Sequence, residues 1–197
     1  TVVNKQGLIE TVASGIPRID FSDDANGALK LEPQSTNLIT YSEDFSQWIL
    51  QRSNVSLNQI TAPDGTLTAD KFYEQVDVNK NRYVYKRPTV TAGINYTQSI
   101  FAKKGERNWI FLESDGKGAY FDLENGVLGT VHSDITAKIT FISNGWYKCS
   151  ISKLSVATVP YLAYYIALSD NVFVYDGDGT SGIYIWGAQL EQSSYAT

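Results

Sequence analysis

Ser181-Gly182-Ile183-Tyr184-Ile185-Trp186-Gly187-Ala188-Gln189-Leu190-Glu191 reads as a strand with bulky residues on both faces. Ile183, Ile185 and, past the glycine, Leu190 are apolar, and Tyr184 and Trp186 stand between them. Such a run is buried on both sides, or has an outer face that binds something. Lying near the C-terminus, it must pair with strands made much earlier. Its best-matched partner is 37–41 (Asn37-Leu38-Ile39-Thr40-Tyr41), which leads into Asp44, Phe45 and Trp48. If first and last strands meet, everything between them forms a closed two-sheet sandwich. That closure is the organising expectation.

The intervening chain reads as strand after strand. Residues 48–51, 69–73 and 82–86 are short extended runs, and Pro63-Asp64-Gly65 marks a strong turn before the second of them. Residues 95–103 and 108–114 are expected to form a hairpin across 104–107. Residues 119–122 and 126–129 form another around 123–125. Runs at 138–142, 146–154, 161–168 and 172–175 continue the series. Turn signals about every ten residues mark an all-β sandwich or barrel. No segment sustains apolar residues at helical spacing, so almost no helix is expected. Residues 1–35 differ, with short apolar patches and an Asn26-Gly27 hairpin signal, and read as an N-terminal arm or connector. The boundary falls near 32–36, and 36–197 is the main body. The chain opens at Thr1 without Met and stops without a closing feature, which reads as a piece of a larger protein.

Composition narrows the function. Among 197 residues there are 13 Tyr, 8 Phe and 4 Trp and no Met, a density that suits strands and sugar- or protein-binding surfaces. The formal net charge of −5 has the wrong sign for a nucleic-acid partner. Cys149 is the single cysteine, so neither an intrachain disulfide nor a cysteine-based zinc site can form. His132 is the single histidine, which excludes two-histidine metal motifs. No apolar run is long enough to span a bilayer as a helix, so no membrane insertion is expected.

Taken in order, several stretches resemble a module common in bacteriophage tail-fibre and minor tail proteins. They are Gly7-Leu8-Ile9, Pro17-Arg18-Ile19-Asp20-Phe21, Leu31 through Ile39 and Tyr41-Ser42-Glu43-Asp44-Phe45. Later come Phe121-Asp122-Leu123, Asn144-Gly145-Trp146-Tyr147-Lys148-Cys149-Ser150 and the run from Gly177 to Glu191. The resemblance covers nearly the whole chain. It implies a carbohydrate-binding jelly roll of galactose-binding-like shape, and hence an antiparallel β-sandwich of jelly-roll type with a short N-terminal arm. It also implies a virion component, other virion proteins as partners and, by analogy with fibres, a homo-oligomer (a trimer). It supplies no catalytic residues.

Candidate chemistry was sought residue by residue. Glycoside hydrolysis needs two carboxylates across a cleft, and no spacing singles out a pair. There is no Gly-x-Ser-x-Gly elbow, and His132-Ser133-Asp134, being consecutive, cannot make a triad among themselves. Residues 176–187 begin like an EF-hand loop but carry Ser181 where that loop needs Gly and Gly187 where it needs Glu. Jelly-roll modules often hold a structural calcium, and by that analogy Asp44, Asp70 or Asp178 would supply oxygens; the alternative is a solvated acidic turn.

Sugar binding remains. Sugar rings stack their apolar faces on aromatic side chains while charged groups meet the hydroxyls. Alternation leaves Ser99, Phe101 and Lys103 outside on one strand and Trp109, Phe111 and Glu113 outside on the next. If those strands pair, the carbohydrate-binding residues are Trp109, Phe101, Lys103 and Glu113, extended by Tyr83 and Tyr85. The alternative is that Trp109 and Phe101 are buried under a loop or in a subunit contact. Trp48, Trp146 and Trp186 are assigned to packing.

The expected function is therefore a non-catalytic tail-fibre or spike module that recognises a host-surface glycan. The alternatives are a structural decoration or connector domain of the virion, and an accessory module of a secreted polysaccharide-degrading enzyme.

Overall fold

The computed structural model describes residues 1–13, 16–22, 24–30 and 35–196. Part of the expected arm–body boundary, 32–34, lies outside the described residues. The arm contains two short hairpins, β1 (Val2–Val3) with β2 (Ile9–Glu10) and β3 (Ile19–Asp20) with β4 (Ala28–Leu29). A single 3-10 turn, Phe45–Gln47, opens the body. It is followed by β5 (Ile49–Gln51), β6 (Ser53–Ile60), β7 (Ala69–Glu74), β8 (Asp77–Asn81) and β9 (Tyr83–Lys86). Then come β10 (Asn95–Lys104), β11 (Trp109–Ser114), β12 (Lys117–Asp122), β13 (Val127–Val131) and β14 (Thr136–Phe141). The last four are β15 (Trp146–Leu154), β16 (Leu162–Ala167), β17 (Val174–Gly177) and β18 (Gly182–Glu191). Among the described residues no helix is long and apolar enough to cross a membrane.

Two six-stranded antiparallel sheets carry the body, in the orders β14-β15-β10-β18-β7-β6 and β13-β12-β11-β16-β9-β5. Eight of these strands (β7, β9, β10, β11, β12, β15, β16 and β18), taken first to eighth along the chain, lie first-eighth-third-sixth in one sheet. In the other they lie second-seventh-fourth-fifth. That order is a jelly roll, whose sheets face each other over one core. The all-β sandwich expected from the turn spacing is what forms.

β18 closes the roll between β10 and β7. The partner expected for it, 37–41, makes no strand. The zipping role belongs to β7, which pairs with β18 over Gly182 to Ile185. The rest of that edge is covered by the expected segment, through Leu38 N–H to Leu190 O at 2.8 Å and Ala188 N–H to Ser42 O at 2.8 Å. The Asn37 side-chain oxygen accepts from Leu190 N at 3.0 Å, so a side chain stands where a backbone rung would be. Tyr41, at φ +58°, then turns the chain away.

Gly187 explains the phase change read in the sequence. At φ +61° it forms a bulge opposite Ile100, where the β10–β18 register shifts. Ile183 and Ile185 point inward before it, and Ala188 and Leu190 after it.

The hairpin expected between 95–103 and 108–114 does not exist. β10 is flanked on both sides already, by β15 and β18, so β11 crosses to the opposite sheet. Arg107 N–H donates to Gly182 O at 3.0 Å at this crossing. Alternation could not distinguish the two arrangements. Ile100 and Ala102 from β10, and Ile110 and Leu112 from β11, enter the same core whether their strands lie side by side or face to face. The 119–122 with 126–129 hairpin forms as β12 with β13.

Trp48 belongs to the main core, 5.5 Å from Tyr164. Trp146 and Trp186 belong to a second cluster on the outer face of the β18 sheet, with Phe101, Ala62 and Ala69. The 61–68 loop covers this cluster: Trp146 Nε1 donates to Thr61 O at 3.1 Å and Trp186 Nε1 to Thr68 Oγ1 at 3.1 Å. The arm docks beside it, with Ile9 N–H on Pro63 O at 2.9 Å, and Val3 O accepting from Phe21 N at 2.9 Å joins its two hairpins.

Candidate functional site

The outer face of the β11 sheet is aromatic from strand to strand. On β9, Val84 points inward and Tyr83 and Tyr85 outward; on β11, Ile110 and Leu112 point inward and Trp109, Phe111 and Glu113 outward. On β16 and β12 the same alternation puts Ala163, Tyr165, Ala167 and Tyr120 outside. The strand register then aligns Tyr83, Tyr165, Phe111 and Tyr120 as one row across four strands. Ring centroids along it are 4.6 Å (Tyr83–Tyr165), 5.5 Å (Tyr165–Phe111) and 4.3 Å (Phe111–Tyr120) apart. These are the spacings at which aromatic pairs attract.

The adjacent row is low. It runs Tyr85, Ala163, Glu113 and Gly118, so two of its four positions have almost no side chain. Gly118 is there by necessity, since a Cβ would fall 1.9 Å from Leu112 O. A shallow trough therefore runs beside the aromatic ridge, with Glu113 in it and Tyr85 stacked on Tyr161 (4.7 Å) at its end. Glu113 accepts from Gly116 N at 2.9 Å, and burial, helped by the nearby Glu113 charge, keeps the Tyr161 and Tyr165 phenols protonated. The trough thus combines ring faces with phenol hydroxyls and a carboxylate. Arg87 lies 5.3 Å from the Tyr161 ring centre.

The two ends of the ridge differ in access. Phe173, from the loop after β16, stacks on Phe111 at 5.5 Å, and Phe111, Tyr120 and Tyr165 are buried. Asp170 fixes that loop by accepting from Thr130 N at 2.7 Å and Thr130 Oγ1 at 2.9 Å. Tyr83, Tyr85, Tyr161 and Trp109 remain only half-buried.

Of the residues selected from sequence, Trp109, Glu113, Tyr83 and Tyr85 lie together on this face. Phe101 and Lys103 do not. The crossing from β10 to β11 puts them on the outer side of the opposite sheet, where Phe101 packs 5.4 Å from Trp186 and Lys103 Nζ donates to Asn144 O at 2.6 Å. Tyr165 and Tyr161, central to the trough, were not selected. In 161–168, Tyr164 and Tyr165 are adjacent and so face opposite sides; that doublet was the available signal.

The three aspartates suggested for calcium do not converge. Asp70 lies at the start of β7 and accepts from Phe45 N at 3.2 Å and Asn58 N at 3.0 Å; burial raises its carboxyl above the ordinary range. Asp44 is nearby and caps the 3-10 turn through Ser46 N at 3.1 Å. Asp178 is at the other end of β7, its N–H on Glu74 at 2.8 Å, with one carboxylate oxygen accepting from Thr180 N and Ser181 N. The Ser181 hydroxyl, donating to its other oxygen at 2.6 Å, together with these bonds holds its carboxyl well below the ordinary range. Among the described residues no three His, Cys, Asp or Glu side chains group as metal ligands would, so these donors do not fit a shared calcium. His132 Nδ1 accepts from Gly118 N at 3.2 Å, with its ring 5.7 Å from Phe111 at the edge of the ridge.

Packing of this face makes the protein sensitive to alkali. Burial, with the nearby Asp170 and Glu113 charges, pushes the Tyr120 phenol up to about 12, and burial raises Tyr161, Tyr164, Tyr165 and Tyr175 as well. Unfolded tyrosines ionise near pH 10. Above that pH the unfolded chain binds fewer protons than the folded one, so stability falls as pH rises. Below pH 10 all these phenols are protonated in both states and their contribution is fully present. A tyrosinate titration at 295 nm should show these phenols ionising with loss of structure, not in a separate step near pH 10.

No protein-family model matches the chain, and no curated protein matches it. Among solved structures it is similar to the CBM22-1–GH10 modules of the Clostridium thermocellum endo-1,4-β-D-xylanase 10B, complexed with xylohexaose. There the TM-score is 0.46 at 13% identity, over 82% of this chain and 29% of that one. It is also similar to the enzymatically active domain of tailspike protein 4 of bacteriophage CBA120, with TM-score 0.46 at 12% identity, over 78% of this chain and 21% of that one. The chain spans less than a third of either.

Proposed function

We propose that this chain is a non-catalytic carbohydrate-binding module of a phage tail fibre or spike, which holds a host-surface glycan in the trough beside the aromatic ridge. The observation that carries this reading is the row Tyr83–Tyr165–Phe111–Tyr120 with its half-buried tyrosine end and Glu113 in the trough beside it. A sugar ring stacks on Tyr83, Tyr85 or Trp109, and its hydroxyls exchange hydrogen bonds with the phenols and Glu113. The face is rigid before the ligand arrives, because the buried rings fix the exposed ones, and that lowers the entropic cost of binding. Copies of the module in one fibre would convert weak single-site binding into tight attachment. Catalysis is not part of the proposal. On this side of the sheet Asp122 accepts from Glu124 N and Asn125 Nδ2, and Asp170 is tied to Thr130, so both support turns.

A glycan array with the whole chain, repeated with Tyr83→Ala/Tyr85→Ala, tests the reading. Each ring contact is worth about 0.5–1.5 kcal/mol, so the double variant should bind at least about fivefold more weakly. Its melting temperature should move far less than that of a core variant. A variant that binds as well as the wild type, or hydrolysis of the bound polysaccharide, would overturn the proposal. A second reading, a structural virion domain, is favoured by one observation. The β8–β17 ribbon projects Val76 and Val78 into solvent, 78% and 70% exposed, as a surface awaiting another subunit would. Under that reading no glycan is retained and the chain associates through the ribbon.

A further inference from the structure

A cleft of about 610 Å³ opens on the opposite side of the sandwich from the aromatic trough, between the outer face of β14–β15 and the arm. Its size is that of a small-molecule site. Strand register arranges its floor. Thr136 lies opposite Ser152, Lys138 opposite Ser150, and Thr140 opposite Lys148, while the alternate residues Ala137, Ile139, Cys149 and Ile151 pack toward the core. The floor is thus a grid of hydroxyls with an ammonium on each strand. β1 and the β3–β4 hairpin form the roof. The C-terminal segment closes one side and places Tyr195, 45% exposed, beside the hydroxyls.

We propose that this cleft is a second carbohydrate site, selective for a sugar residue bearing a carboxylate. The Thr136 and Thr140 hydroxyls can donate and accept as a sugar's do, while Ser150 and Ser152 Oγ, which donate to Lys138 O and Ser194 O, offer acceptor capacity. Tyr195 offers a ring face, and Lys138 and Lys148 supply the charge that a neutral sugar would not use. The acid of the cleft, Asp20, does not oppose an anion with a free carboxylate. It accepts from Val3 N at 3.0 Å and from Ser22 N and Oγ, and Lys30 lies 3.6 Å away. The net charge of the chain is −5, so the cation pair on the floor is a local departure from the whole. The site is independent of the aromatic trough and lies on the other sheet.

Calorimetric titration of the whole chain with trigalacturonate, and with neutral galactotriose as control, tests it. Trigalacturonate should bind at least about tenfold more tightly than the neutral trisaccharide, and more weakly as salt is raised. Lys138→Ala/Lys148→Ala should lose at least about tenfold in affinity with melting unchanged, Lys138→Glu alone should weaken binding, and Tyr83→Ala/Tyr85→Ala should leave it intact. The inference is overturned if trigalacturonate does not bind, if both trisaccharides bind equally, or if the lysine variants bind as the wild type does. It is overturned equally if the tyrosine pair, not the lysine pair, abolishes the heat, which would assign that ligand to the aromatic trough.

Discussion

Arg82→Ala should cost about 3–5 kcal/mol, because it removes the donor of four carbonyls at about 1 kcal/mol each, more for the buried one, and lower the melting temperature by about 10 °C at this chain length. Arg82 has no solvent exposure, yet four of the five N–H groups of its guanidinium donate to carbonyls. Nη1 donates to Lys80 O at 2.6 Å and Tyr175 O at 2.7 Å, Nη2 to Asp77 O at 2.7 Å, and Nε to Gln75 O at 3.4 Å. The planar fork also lies 4.5 Å from the Tyr175 ring centre. One side chain thereby anchors the β8–β17 ribbon to the body, and alanine would leave the buried Tyr175 carbonyl and three part-buried ones without this donor. Gly177 makes room for it, since a Cβ there would come within 2.5 Å of the guanidinium. Arg82→Lys should recover little, because an ammonium cannot reach carbonyls spread around a plane. Urea denaturation of the three proteins, with midpoints compared at constant slope, checks the ranking.

Glu74→Ala should be nearly as damaging, at about 3–5 kcal/mol. Glu74 is fully buried and receives Arg107 Nη2 at 2.7 Å and Asp178 N at 2.8 Å on one oxygen. Its other oxygen receives Tyr175 OH at 2.8 Å and Arg107 Nε at 3.2 Å. The bidentate bond raises the Arg107 guanidinium above its ordinary value, and removing the carboxylate strands all these donors at once. Glu74→Gln keeps the shape and some acceptor capacity and should fall between. Arg82 and Glu74 share Tyr175, so the double variant should lose less than the sum of the singles. A double-mutant cycle by thermal denaturation reads that coupling; strict additivity would contradict a shared network.

Neither anchor was legible in the sequence. Arg82 stands beside an alternating strand and Glu74 ends another, and nothing in their neighbours marks them as buried. Their partners are mostly backbone atoms and a tyrosine about a hundred residues away. What was legible followed from alternation and turns: the all-β class, the inward Ile183 and Ile185, and the outward Tyr83, Tyr85, Trp109 and Glu113. Alternation fixes which face of a strand is buried and is silent about which strand lies beside it. Hence Phe101 and Lys103 were assigned to the wrong sheet, and 37–41 received the pairing that β7 makes. The Tyr83–Tyr165–Phe111–Tyr120 row needed the register of four strands, which no local pattern encodes.

The central claim is that sugar is held by the outer face of the β11 sheet, at the half-buried tyrosine end of its ridge. It is tested most directly by backbone and indole amide shifts in a heteronuclear NMR titration of the whole chain with the strongest neutral ligand from the glycan array. The account predicts shifts concentrated at Tyr83, Tyr85, Tyr161, Glu113 and the Trp109 indole, with the arm and β14 unmoved. Shifts confined to the β8–β17 ribbon or the 61–68 loop, with this face silent, would contradict it.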